Sequence, residues 1–127
     1  ELYRSNLWGW GSTINLEFAE KTGEGKEYFN AFHQVDTTDL DTFVGENNIK
    51  RVDLLVLNVP GEIEHLILIG AKDLITNFRP QVTITVYHKN LERVTAFFKE
   101  VGDYFEIENP YKEPYSKSKI HIFSPSK

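Results

Sequence analysis

From Val52 onward the chain alternates between two hydrophobic rhythms, and few folds accept that alternation. Val52-Asp53-Leu54-Leu55-Val56-Leu57-Asn58-Val59 is an almost unbroken apolar run, as expected of a strand covered on both faces in a parallel sheet. Residues 62–78 place Ile63, Leu66, Ile67, Ile69, Gly70 and Leu74 at near-helical spacing, which predicts one helix with an apolar side, ended by Arg79-Pro80. Across 81–88, Val82, Ile84 and Val86 alternate with Thr83, Thr85 and Tyr87, the period of a strand. Asn90 is expected to cap a further helix to about Val101, with Leu91, Val94, Phe97 and Phe98 along one side and Gly102 closing it. Two last strands are expected at 104–108 and 120–123, around a loop at 109–119 that carries prolines and lysines. The order strand, helix, strand, helix, strand, strand predicts an α/β fold, with parallel strands, right-handed crossover helices and a final antiparallel pair.

The amino-terminal part reads differently. Ile14, Leu16 and Phe18 alternate with polar residues over 12–18, the polar run 21–26 carries two glycines, and 28–35 is rich in aromatics, which together predict an antiparallel β-hairpin. Thr37-Thr38 then precede Asp39-Leu40-Asp41-Thr42-Phe43-Val44, so a short helix is expected with a hydroxyl cap and acids in its first turn. The expectation is one domain over 1–127, with a hairpin region at 1–36 and the α/β region at 37–127.

Composition narrows the function classes. A chain of 127 residues with 40% hydrophobic and 13% aromatic residues can build a core, and a net charge of -5 gives no basic field for phosphates, so nucleic acid is not expected as a partner. There is no cysteine, hence no disulfide, thiolate metal site or cysteine nucleophile, and the compartment is left open. The apolar runs at 52–59 and 63–69 are far shorter than the ~20 residues of a membrane helix, so a soluble protein without membrane contact is expected. The chain begins at Glu1 and contains no methionine, which leads to the expectation of a processed chain or a fragment.

In open α/β sheets, ligands bind beyond the carboxyl ends of the strands, here Asn58–Gly61 and Tyr87-His88-Lys89. The sequence at these ends resembles the FkbM family of S-adenosylmethionine-dependent methyltransferases, in which a strand ends in Asp-x-Glu-Gly and a helix follows with a Glu and a Gly-Ala pair. The corresponding residues are Asn58-Val59-Pro60-Gly61, then Glu64 and Gly70-Ala71. Arg79-Pro80, Val86-Tyr87-His88-Lys89 and Asn90-Leu91-Glu92-Arg93 continue the similarity, and Thr38-Asp39-Leu40-Asp41-Thr42 and Leu7-Trp8 extend it upstream. The resemblance implies the carboxyl-terminal half of a class I methyltransferase fold, a partial Rossmann-like sheet preceded by the hairpin.

It also implies S-adenosylmethionine as cofactor and a hydroxyl oxygen as methyl acceptor. The pattern departs from the family at two acids, since Asn58 stands where the family has Asp and Pro60 where it has Glu. The glycine-rich cofactor loop and the ribose-binding acid of the class I fold are absent, and Gly9-x-Gly11 and Gly23-x-Gly25-Lys26 are in the wrong context to replace them. The chain by itself is therefore expected to be inactive. Its alternative role is that of a degenerate, non-catalytic binding or assembly module, which meets a second copy or a missing amino-terminal half through the strand at 52–59.

The site candidates are Asn58 and His88 as catalytic groups and Gly61 and Glu64 as substrate contacts; no residues are assigned to the cofactor and no metal is expected. Each has a plainer explanation. Asn before Pro-Gly forms turns, an acid in a first helical turn suits the helix dipole, and a strand-end His is commonly just solvated. His33, His65 and His121 share no metal-ligand spacing. Trp8 and Trp10 read as core or hairpin surface, and Lys112, Lys117 and Lys119 beside Tyr111 and Tyr115 read as a solvated loop.

Overall fold

The structure, a computed structural model, describes residues 2–4, 31–33, 36–59, 62–107 and 118–126. The chain divides into two compact units, Glu1–Thr37 with Val59–Ile63, and Thr38–Asn58 with Glu64–Lys127. In the first, β1 (Leu2–Arg4) pairs antiparallel with β2 (Ala31–His33). β2 falls within the second expected hairpin strand, while β1 is an addition, its three residues being too few to show a period. The strand expected at 12–18 and the turn expected at 21–26 lie outside the described residues, as do Trp8, Trp10, Pro60, Gly61 and residues 109–117 of the loop expected at 109–119, whose last two residues belong to a strand.

The second unit is the α/β body. Its elements are α1 (Leu40–Glu46), β3 (Leu54–Leu57), α2 (Glu64–Ile69), α3 (Lys72–Phe78), β4 (Gln81–Tyr87), α4 (Leu91–Val101), β5 (Tyr104–Ile107) and β6 (Ser118–Pro125). The sheet order is β3-β4-β6-β5. β3 and β4 run parallel with Leu54 opposite Gln81, whereas β6 is antiparallel to both β4 and β5 and lies between them. This is the expected α/β architecture, a partial Rossmann-like sheet with crossover helices and a closing antiparallel strand.

Alternation in β4 builds the core. Its β-branched residues suit a pleated strand, and Val82, Ile84 and Val86 are buried while Gln81, Thr83, Thr85 and Tyr87 on the opposite face are only partly so. Leu68 of α2, Leu74 and Ile75 of α3, and Val94, Phe97 and Phe98 of α4 complete the buried cluster. The Phe98 ring stacks on Phe123 of β6 with centroids 4.0 Å apart. The connections from β3 to β4 and from β4 to β5 advance across the sheet in the same direction, so right-handed crossovers bring their helices to one face.

That geometry corrects the expectation of a strand covered on both sides. In β3 only Leu57 is buried, while Leu54 and Val56 are 55% and 61% exposed, because the helices serve the other face. A continuous apolar run shows that a strand could be covered twice, not that it is.

The single helix expected over 62–78 is two helices, interrupted at Gly70-Ala71. The break is stabilised from α1: Asp41 N–H donates to the Gly70 carbonyl at 2.9 Å, and the Asp41 carboxylate accepts from the N–H groups of Asp73 and Leu74 at 3.0 and 2.8 Å. Asp41 thus satisfies two of the orphan donors at the start of α3. The interruption resets the helical phase, and Leu66 and Ile69, expected on the apolar side, are 56% and 61% exposed. The cap of α1 is also different from the expected threonines. Asp39 accepts from Thr42 N–H at 2.7 Å and from the Thr42 hydroxyl at 3.0 Å, bonds that hold its carboxyl below the usual range.

Gly102 closes α4 as expected, at φ +77° with its N–H on the Phe98 carbonyl. At the end of α3, Arg79 adopts a left-handed conformation, φ 53°, and its guanidinium donates to the Asp103 carbonyl and lies over the Tyr104 ring.

A Cβ added at Gly70 would stand 2.9 Å from the Asp39 Cβ, too close for either atom to remain in place. Gly70→Ala is therefore expected to push α1 outward and to cost about 1–3 kcal/mol, the range for overpacking. Urea unfolding measures the loss, and faster amide exchange confined to α1 locates it.

Candidate functional site

The carboxyl end of β4 is held by an acid inside the protein. Glu64, the first residue of α2, is fully buried, and both its oxygens are engaged. One accepts from the Tyr87 backbone N–H at 2.9 Å and the other from the Asn90 side-chain amide at 2.7 Å. Tyr87 ends β4, His88–Asn90 form a single 3-10 turn, and α4 follows at Leu91. One carboxylate therefore joins the start of α2 to both ends of the turn that carries His88 and Lys89.

Asn90 stands at the N-cap position of α4 as expected, but it makes no side-chain cap bond, and its amide, 2% exposed, turns inward to Glu64. The side-chain orientation that lets the amide nitrogen donate to the buried carboxylate is adopted in place of the usual cap bond, in which the side-chain oxygen accepts from a first-turn N–H. Burial and the nearby Glu64 charge both push the Tyr87 phenol above its usual range.

Glu64, expected as a substrate contact, has no exposed surface, and both its oxygens accept hydrogen bonds from the protein. Its effect is on position. His88 is exposed at the turn, and Asn58 is exposed just past the end of β3. Leu57 pairs with Ile84, so Asn58 comes level with Thr85, three residues short of His88. That stagger is about 10 Å along the strands, so the two residues share an end of the sheet without forming a hydrogen-bonded dyad. Gly61 lies outside the described residues.

A signal for the Glu64 arrangement was present in the sequence. Glu64 shares the inward stripe of α2 with Ile67 and Leu68, and an acid on such a stripe requires buried donors. The donors themselves, a backbone N–H and an amide 23 and 26 residues away, follow only from the packing of α2 against β4 and α4.

The neighbouring His65 faces the same helix pair. Its Nε2 lies 3.3 Å from an Arg93 guanidinium nitrogen, and its Nδ1 is buried without a partner. Guanidinium only donates, so Nε2 accepts and the proton sits on Nδ1. Burial first, and then the Arg93 charge, hold the imidazole below its usual pKa, with Glu64 opposing in part. Among the described residues, no group of three or more His, Cys, Asp or Glu could hold a metal ion, and no helix is long and apolar enough to cross a membrane.

An open sheet with β3 and β4 parallel, and exposed polar residues beyond their carboxyl ends, has the layout at which open α/β sheets bind ligands. The methyltransferase FkbM domain matches residues 6–112, most of the chain, and the chain belongs to that family. No curated protein and no solved structure gives a significant match.

Two measurements follow from the site. Glu64→Ala leaves two buried donors unpaired and is expected to cost about 3 kcal/mol in denaturant unfolding. Glu64→Gln keeps an acceptor for Tyr87 and should cost clearly less. The His65 shift gives a pH dependence: an imidazole whose folded pKa is lowered binds its proton more readily unfolded. The neutral ring's contribution is thus complete above the ordinary pKa of ~6.5 and falls as pH drops through the lower folded value. His65→Leu is expected to flatten that acid limb of a thermal unfolding series and, since it removes an unpaired buried N–H, to change stability at neutral pH by less than about 1 kcal/mol.

Proposed function

We propose that this chain is the acceptor-side half of an FkbM-type S-adenosylmethionine-dependent O-methyltransferase, lacking the half that holds the cofactor. The observation that carries the proposal is the family match over 6–112 together with exposed Asn58 and His88 at the carboxyl ends of adjacent parallel strands. In this reading, His88 takes up the proton of the acceptor hydroxyl. Asn58 orients that hydroxyl through its amide, Gly61 contacts the acceptor, and Glu64 holds the His88 turn in place. Orientation of the acceptor supplies the main catalytic effect.

The described residues do not by themselves fit the cofactor. Glu64 is buried and accepts from Tyr87 and Asn90, so it is not offered to a ribose hydroxyl. The isolated chain is accordingly proposed to be inactive.

A second reading has its own observation. β3 lies at the edge of the sheet, with Leu54 and Val56 largely exposed. Unpaired apolar edges favour strand addition. A non-catalytic assembly module would use the strand at 52–59 to meet a second copy or the missing amino-terminal half.

Calorimetric titration with S-adenosylhomocysteine tests the proposal that the cofactor half is missing. No binding to the chain alone is expected; saturable binding would overturn that part of the proposal, and His88→Ala should then leave the affinity for this product unchanged while abolishing methyl transfer.

A further inference from the structure

We infer that His65 is an acid-sensitive latch on the turn that carries His88, closed while the imidazole is neutral and opened when it takes up a proton. The inference does not depend on methyl transfer. Two polar bridges lie side by side between the first turn of α2 and the start of α4. Glu64 accepts from the Asn90 amide at 2.7 Å, and the next residue, His65, brings Nε2 to 3.3 Å from a guanidinium nitrogen of Arg93, three residues beyond Asn90. The first bridge fixes the end of the turn at residues 88–90, and the second stands next to it along both helices.

The second bridge exists only for a neutral ring. Nε2 has to offer a lone pair, because guanidinium has no acceptor. A proton on Nε2 sets donor against donor and cation against cation at hydrogen-bond distance. Arg93 is exposed and can move aside, but the ring cannot be relieved in the same way. Its Nδ1 is closed to water and has no partner, so an imidazolium left in place would keep a charged N–H unsolvated. The protonated ring therefore has to turn out to water, which removes it from the contact between α2 and α4.

The surrounding charges leave no quiet place for the proton. α2 packs against α4 and β4. From α4, Arg93 repels it, whereas Glu64 on α2 itself attracts it. Turning toward the imidazolium would draw a Glu64 oxygen away from Tyr87 N–H or from Asn90, so this movement opens the same contacts as the departure of the ring. From the end of β4, the Tyr87 phenol is held neutral by burial and by the Glu64 charge. His88 and Lys89 in the turn and Glu92 beside Arg93 are exposed, Glu62 precedes α2, and Lys99 and Glu100 stand at the far end of α4. Either movement brings water to the Glu64 carboxylate, and residues 88–90 lose a fixed point.

NMR of the whole chain tests the latch. The His65 ring signals report its proton, and the exchange protection factor of Tyr87 N–H, which donates to Glu64, reports the clamp. As pH falls through the His65 titration, below the ordinary histidine value of about 6.5, protection at Tyr87 is expected to drop roughly tenfold or more, the loss of a buried hydrogen bond. The amides of Val82–Val86 in the same strand should keep theirs, because the opening is local. His65→Leu is expected to hold Tyr87 protection constant over that range, and Arg93→Leu, which removes the repelling charge, to move the transition to higher pH. Protection at Tyr87 that persists while His65 titrates, a loss shared by all of β4 at once, a ring still neutral when the chain unfolds, or an unchanged transition in His65→Leu would each overturn the inference. The wild-type result decides even if a variant fails to fold.

Discussion

The carboxylate of Glu64 is the constraint on which the functional end of this unit depends. α2 would pack into the core through Leu68 in any case, since apolar burial of that kind contributes roughly 25 cal/mol per Å² and is indifferent to exact register. Two hydrogen bonds are not indifferent. They place the first turn of α2 against the last residue of β4 and the last residue of the 3-10 turn, leaving His88 and Lys89 displayed between fixed points. The desolvation cost of a buried carboxylate, several kcal/mol, is largely offset by these bonds, so what the arrangement adds is geometry more than net stability.

A similar division of labour appears at α1. Asp41 ties the short helix to the interruption between α2 and α3 through three hydrogen bonds, all at or near a close approach that only glycine permits. None of the α1 side chains is fully buried, so polar contacts set its position to an unusual degree. Both acids act on backbone N–H groups, one inside the protein and one near its surface.

These same interactions explain what could be read from the sequence. Strand and helix periodicity in Val82–Val86 and Leu91–Phe98 located β4 and α4 closely, because those segments face one apolar layer and their patterns report it directly. The break at Gly70-Ala71 was not legible, because it is decided by Asp41, some thirty residues upstream, and residues Leu66 and Ile69 prolong the helical pattern while lying outside the core. β3 misled in another way: apolar composition reports tolerance of burial, while cover depends on which direction the crossovers take. At the candidate site, the sequence led to Asn58, Glu64 and His88 but assigned Glu64 to a ligand and the Asn90 side chain to a cap bond, since a one-dimensional pattern does not say which buried group meets which.

The strand ends show why fold and chemistry can part company here. In the resemblance drawn from the sequence, Asn58 and Pro60 stand where the Asp-x-Glu-Gly pattern of the family has its acids, and Glu64 stands where it has the Glu of the following helix. Asn58 is exposed, where an exchange of Asp for Asn leaves no buried partner unpaired and costs little stability. Glu64 differs because Tyr87 and Asn90 rely on it, and its loss would strand donors in the interior. Stability alone therefore retains the acid that shapes the site and is nearly silent about an exposed acid that would act in it. A chain of this family can keep the turn, the sheet and their geometry while the reactive groups at the rim change, so the preserved architecture is evidence of descent and of a shaped surface, and the identity of the exposed residues decides what chemistry that surface performs.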